Sequence, residues 1–133
     1  MAVLQAVRVN LDGTAEGVKI EATDSGERFE ALYQLIGCAV VEPVGLPGGI
    51  TLWIDEEGRY RSELNATLTG VVRRTRAHNP LLFGSGVFLG HDDSTGETVG
   101  LTLDQLASVV AWWRCVTTNG ADPLTARRHL TAV

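Results

Sequence analysis

The spacing of the apolar residues changes repeatedly along this chain, and that change limits its architecture more than any other feature. Val3, Val7 and Val9 alternate with Leu4, Ala6 and Arg8, and Val18 and Ile20 alternate with Lys19 and Glu21. Period two is the mark of a strand, and Asp12-Gly13 between the two runs reads as the turn of a hairpin. At Asp24 the period shifts. A polar cap is followed three residues later by Glu27, and Phe29, Leu32, Leu35 and Ile36 then recur at helical spacing up to Gly37, which predicts a short amphipathic helix closed by a glycine.

The period returns to two in the valine-rich stretch Cys38 to Val44, with Pro43 near its end, where a missing backbone donor is tolerable. After the loop Leu46 to Gly49, Ile50, Leu52 and Ile54 alternate with Thr51, Trp53 and Asp55, and this strand runs directly into Asp55-Glu56-Glu57-Gly58. Asn65 can cap a short helix holding Leu68, Val71 and Val72. Leu81 to Gly90, broken by Gly84 and Gly86, suits a bent strand; Asp92 to Gly96 reads as a turn and the residues around Val99 as a short strand. A last helix begins with the capping box Thr102–Gln105 and places Leu103, Leu106, Val110 and Trp113 on one stripe up to about Cys115. Arg127, Arg128 and His129 fall in a further, frayed helix.

Strands and helices interspersed in this way predict one α+β domain over residues 1–133. An antiparallel or mixed sheet is expected to be covered on one face by two main helices, Glu27 to Ile36 and Leu103 to Cys115. No apolar run approaches the roughly 20 residues of a spanning helix, and the N-terminus lacks a secretory pattern, so no membrane contact and a cytoplasmic location are expected. Cys38 and Cys115 lie far apart in apolar surroundings without ligand spacing, as buried reduced thiols do. The formal net charge is −5, carried by residues 1–66, which have eleven acids against five bases. Such a field disfavours indiscriminate nucleic-acid binding.

Three groups of residues are candidates for function. Asp55, Glu56 and Glu57 precede Gly58, Arg59 and Tyr60. Between strands Ile50–Ile54 and Arg59–Arg61 they read as a chain reversal, with the glycine supplying positive φ. Adjacent carboxylates in extended chain also face opposite ways, so solvated turn acids are preferred over a general acid/base pair. His91-Asp92-Asp93 is ordinary turn chemistry too, although Glu56, Glu57, His91 and Asp92 would make a metal-dependent hydrolytic site if the two turns met. Arg73, Arg74 and Arg76 form the densest basic run, a candidate grip for phosphate or an acidic partner, yet without the aromatic interleaving of a single-strand binder. Trp112 lies about 100° from Trp113 on the last helix, towards the edge of its apolar stripe, and is a candidate for a dimer or partner interface. No nucleophile motif or phosphate loop is present, so no catalytic residue and no cofactor is expected.

The turn Asp12 to Thr14, the helix Phe29 to Gly37, Val40 to Val44, Leu52 to Gly58, Asn65-Ala66, Gly86 to Gly90, Gly96-Glu97 and Leu101-Thr102 follow one another in an order that resembles a family of small uncharacterised domains of bacteria, plasmids and phages. The likeness spans about residues 3 to 107, and Asp-Glu-Glu-Gly is its most specific part. The arginine-bearing stretch Val71 to Leu81 and the C-terminal helical extension, residues 103–133, are less typical. The resemblance implies a small cytoplasmic protein, often on mobile elements, without a recognised enzymatic role or catalytic residue. A non-enzymatic accessory or interaction protein is therefore expected, working through a protein partner or as a homodimer. Its acidic half would suit a basic partner, including a nucleic-acid-binding enzyme whose DNA it would mimic in charge.

Overall fold

The structure, a computed structural model, describes residues 2–75 and 81–117. Its strands are β1 (Ala2–Val9), β2 (Ala15–Ala22), β3 (Val41–Leu46), β4 (Ile50–Asp55), β5 (Gly86–Asp92) and β6 (Glu97–Val99), and its helices α1 (Ser25–Ile36), α2 (Gly58–Arg61), α3 (Ala66–Thr75) and α4 (Leu103–Cys115). All described strand pairs are antiparallel, in the order β2-β1-β5-β4-β3. This is the α+β fold class that the periodicity predicts, with an antiparallel sheet. Gly90 pairs with Ile50 of β4 on one edge and with Val99 of β6 on the other. β6 therefore continues the edge that β1 occupies further up β5.

The two main helices lie on opposite faces of the sheet, which corrects the expectation of a single covered face. Val87, Leu89, Trp53, Leu4 and Ile20 pack with Leu32 of α1 on one side, whereas Phe88, Ile50, Leu52 and Ile54 pack with Leu68, Val71 and Val72 of α3 and Val109 and Trp113 of α4 on the other. The cause is visible in β4, whose six residues are all buried. A strand apolar on both faces must be covered on both, because each fully buried aliphatic or aromatic side chain contributes roughly 1.5–3 kcal/mol.

Most local signals hold. Asp24 accepts the Glu27 N–H at 2.9 Å and Gly37 closes α1 at φ 79°; the Glu27 carboxylate reaches back one residue further, to the Thr23 N–H at 2.5 Å. The capping box Thr102–Gln105 opens α4 as expected. The phase of that helix is rotated, however. Val109 and Trp113 are its buried residues, whereas Leu103, expected on the core stripe, is 84% exposed. The indole Nε1 of Trp113 donates to the buried Gly13 carbonyl at 2.9 Å, which pins α4 to the β1–β2 turn. Arg76, Pro80 and the predicted helix around Arg127, Arg128 and His129 lie outside the described residues.

Asn65 ties the second half of the fold together. It is fully buried. Its Oδ1 accepts the Leu68 N–H at 3.0 Å, capping α3 as expected, while its Nδ2 donates to the carbonyls of Asn10 and Gly84 at 3.0 and 2.9 Å. Its own N–H donates to Leu82 at 2.8 Å. Thr69, a weak helix former by propensity, is buried inside α3 and accepts the Leu82 N–H at 2.9 Å. Tertiary hydrogen bonding here outweighs intrinsic preference.

Candidate functional site

The carboxyl end of β4 carries the acidic stretch, and the structure changes how that stretch is built. No hairpin forms between Ile50–Ile54 and Arg59–Arg61, because both edges of β4 are already taken by β3 and β5. The chain instead turns into α2, a single helical turn. Asp55 is buried and its Oδ1 accepts the Glu57 N–H at 2.9 Å. The Glu56 N–H donates to Val40, extending the β3–β4 ladder, and the Ser62 N–H closes α2 on Gly58 at 2.8 Å. A half-exposed Arg61 guanidinium lies 3.9 Å from the Asp55 carboxylate.

Gly58 serves close approach rather than positive φ. It is not among the left-handed glycines; a Cβ at this position would stand 2.8 Å from the Phe83 carbonyl oxygen. That contact presses α2 against the segment before β5, which is held in turn by the Leu64–Phe83 bridge and the Gly84 N–H to Glu63 bond of 2.9 Å. The result is a corner held by backbone contacts on both sides. Tyr60 stands out from it at 80% exposure, and Leu64 and Leu81 are also exposed. Beneath lies a hollow of about 240 Å³ lined by Glu42, Val44, Ile54, Asp55, Glu56, Gly58, Arg59 and Leu81 to Phe83.

Glu56 and Glu57 are exposed, and the structure does not bring them to His91 and Asp92. Gly90 pairs with Ile50, at the opposite end of β4 from Asp55. At roughly 3.3 Å per residue the two turns are about 20 Å apart, so the composite metal site is corrected. Among the described residues no group of three or more His, Cys, Asp or Glu could hold a metal ion. His91 instead faces Asp93 at 3.5 Å. Asp92 accepts the Ser94 hydroxyl at 2.7 Å and its N–H at 2.9 Å, and these bonds hold its carboxyl below the ordinary range.

Of the basic run, Arg73 and Arg74 are exposed on the last turn of α3, and Arg76 is outside the described residues. Trp112 is half-buried and packs against the core beside α3 and α4. Cys38 and Cys115 are free and half-buried. Burial, with the Asp55 carboxylate nearby, pushes the Cys38 thiol up and keeps it protonated, unlike a nucleophile. Tyr60, Leu64 and Leu81 were missed in the sequence because isolated apolar residues in loops carry no periodic signal; only the aromatic beside Arg59 in an acidic turn hinted at an exposed anchor.

No helix among the described residues is long and apolar enough to cross a membrane. No curated protein and no solved structure matches the chain. A family model does, from residue 5 to residue 114, and it takes in the 71–81 stretch and nearly all of α4. With that span matched, the chain belongs to the family described as Domain of unknown function (DUF3846).

Proposed function

We propose that the protein is a non-enzymatic accessory protein that docks a basic protein partner at the carboxyl end of β4. The observation that carries this reading is Tyr60: a tyrosine left 80% exposed on a turn that Gly58 fixes against Phe83. Exposed aromatics on rigid backbone are the usual anchors of interfaces, since they add large contact area at little entropic cost. Leu64 and Leu81 are exposed on the two segments joined by the Leu64–Phe83 bridge, Glu56, Glu57 and Glu63 are exposed along the Tyr60 stretch, and the exposed Glu42 of β3 lines the same hollow as Glu56 and Leu81. That is an apolar centre in a surround where these four glutamates outnumber the exposed Arg59 and Arg61 beside Tyr60, a balance that favours a basic surface. A cytoplasmic location in a bacterium, with a phage or plasmid as the genetic setting, is in keeping with the family resemblance, and the neighbouring genes would test that part.

The docking reading is tested by affinity capture from a bacterial lysate with the full chain and its variants. A specific basic protein is expected on the wild-type chain and on Lys19→Ala, which alters the distant β2. Tyr60→Ala and Leu81→Ser are expected to lose it. Retention that is indifferent to Tyr60 and Leu81 would move the interface elsewhere, with Arg73, Arg74 and Trp112 the next surfaces to alter. Phosphate-backbone binding through Arg73 and Arg74 would show instead as retained nucleic acid with a steep salt dependence.

A further inference from the structure

We propose that the hollow beside Tyr60 receives a single basic side chain of the partner, an inference that rests on the docking reading above. At about 240 Å³ it falls below the roughly 300 Å³ at which small-molecule pockets begin, so it suits one side chain rather than a free metabolite. Its buried lining is mixed, with Val44, Ile54 and Leu82 beside the Asp55 carboxylate, while Glu42, Glu56 and Arg59 are exposed and stand at its rim. Lysine and arginine match that mixture, with methylenes to lie against Val44, Ile54 and Leu82 and a positive head to remain among carboxylates and water. Arginine fits better than lysine. Its guanidinium is less strongly hydrated and can bond two carboxylates, or one in a bidentate manner.

Arg59 gives the proposal a signature of sign. It is a like charge at the same rim and opposes an incoming cation, whereas Glu42 and Glu56 attract one. Removing an acid should therefore weaken binding, and removing Arg59 should strengthen it. A hollow that merely bound apolar matter would respond to none of the three.

The experiment is an amide NMR titration of the full chain with n-butylguanidinium, n-butylammonium and the neutral n-butylurea. Saturable shifts are expected for the cations at residues 42, 44, 54–59 and 81–83, with the guanidinium bound more tightly and the urea not bound. Glu42→Gln and Glu56→Gln should each weaken the cation by about two- to fivefold, and Arg59→Gln should tighten it by a similar factor, the range for exposed charge pairs. Asp55→Asn keeps the oxygen that caps Glu57 and serves as a further charge variant. Equal binding of the two cations would retain the basic side chain and overturn the preference for arginine. Binding of the urea to the same extent, shifts elsewhere, or indifference to all the charge changes would overturn the proposal. Partner capture that is indifferent to Tyr60→Ala overturns the docking surface and leaves the cation titration of this hollow standing, so the two readings fail separately.

Discussion

The indole nitrogen of Trp113 donates to the carbonyl of Gly13 at 2.9 Å across a hundred residues of sequence. Trp53, on the other face of the sheet, has a buried indole nitrogen with no partner, packed edge-on to Phe29 at 5.6 Å. The two tryptophans therefore predict different costs for the same change. Trp113→Phe loses buried area and leaves the Gly13 carbonyl unpaired, which adds about 1–3 kcal/mol. Trp53→Phe loses area but relieves an orphaned donor. Urea unfolding is expected to find Trp113→Phe the more destabilised; equal midpoints would contradict this.

Asn65→Ala removes a helix cap, about 1 kcal/mol, takes the donor from the Gly84 carbonyl and leaves the Asn10 carbonyl only the Gly13 N–H, so a total loss of about 2–4 kcal/mol is expected. Asn65→Asp restores the cap acceptor while setting a carboxylate against those carbonyls, and is expected to be no better at neutral pH. Thermal melts of both variants check this. Wild-type stability in either would refute the role of Asn65 as the tie between α3, the β1–β2 turn and the strand leading to β5.

Gly58→Ala places a methyl group 2.8 Å from a backbone oxygen, and backbone cannot yield as a side chain can. A cost of about 1–3 kcal/mol is expected. Hydrogen exchange should rise at Tyr60 and Ser62, whose N–H groups donate to Glu57 and Gly58. Exchange unchanged at both would mean that the corner tolerates the methyl group.

How much of this was legible in the sequence follows from the kind of signal involved. Periodicity and caps are local, so β1, β2, α1, the Asn65 cap and the Thr102 box could be read directly. The Asp55–Arg61 corner could not. Gly58 resembles a turn glycine until Phe83, twenty-five positions away, is known to press on it. The sidedness of the helices was legible in part, since Ile50 to Ile54 is apolar at nearly every position, a pattern of strands buried on both faces. The phase of α4 was legible in part: Trp113, expected on the stripe with Leu103, Leu106 and Val110, is buried, but Val109 takes the other buried place, because Leu106, Val109 and Trp113 make as regular a stripe and only the position of the sheet decides between them.

The Asp92 carboxyl should titrate below the ordinary aspartate range because Ser94 bonds its charged form. A depressed folded value means that its contribution to stability is complete above the unfolded value of about 3.9 and fades as pH falls through the lower folded value. Ser94→Ala, which removes the largest of these bonds and leaves the residue-94 N–H and the weaker Thr95 donors, is expected to move the carboxyl part of the way back towards the ordinary range. Carboxyl-carbon NMR reads this directly, and an unmoved titration would show that the hydroxyl has no part in it.

The docking surface is tested most directly by hydrogen–deuterium exchange of the captured complex. Protection is expected at residues 55–64 and 81–83, with β2 and the β1–β2 turn exchanging as in the free protein. Protection confined to β2, α1 or the exposed face of α4, with the Tyr60 corner exchanging freely in the complex, would contradict the proposed docking site.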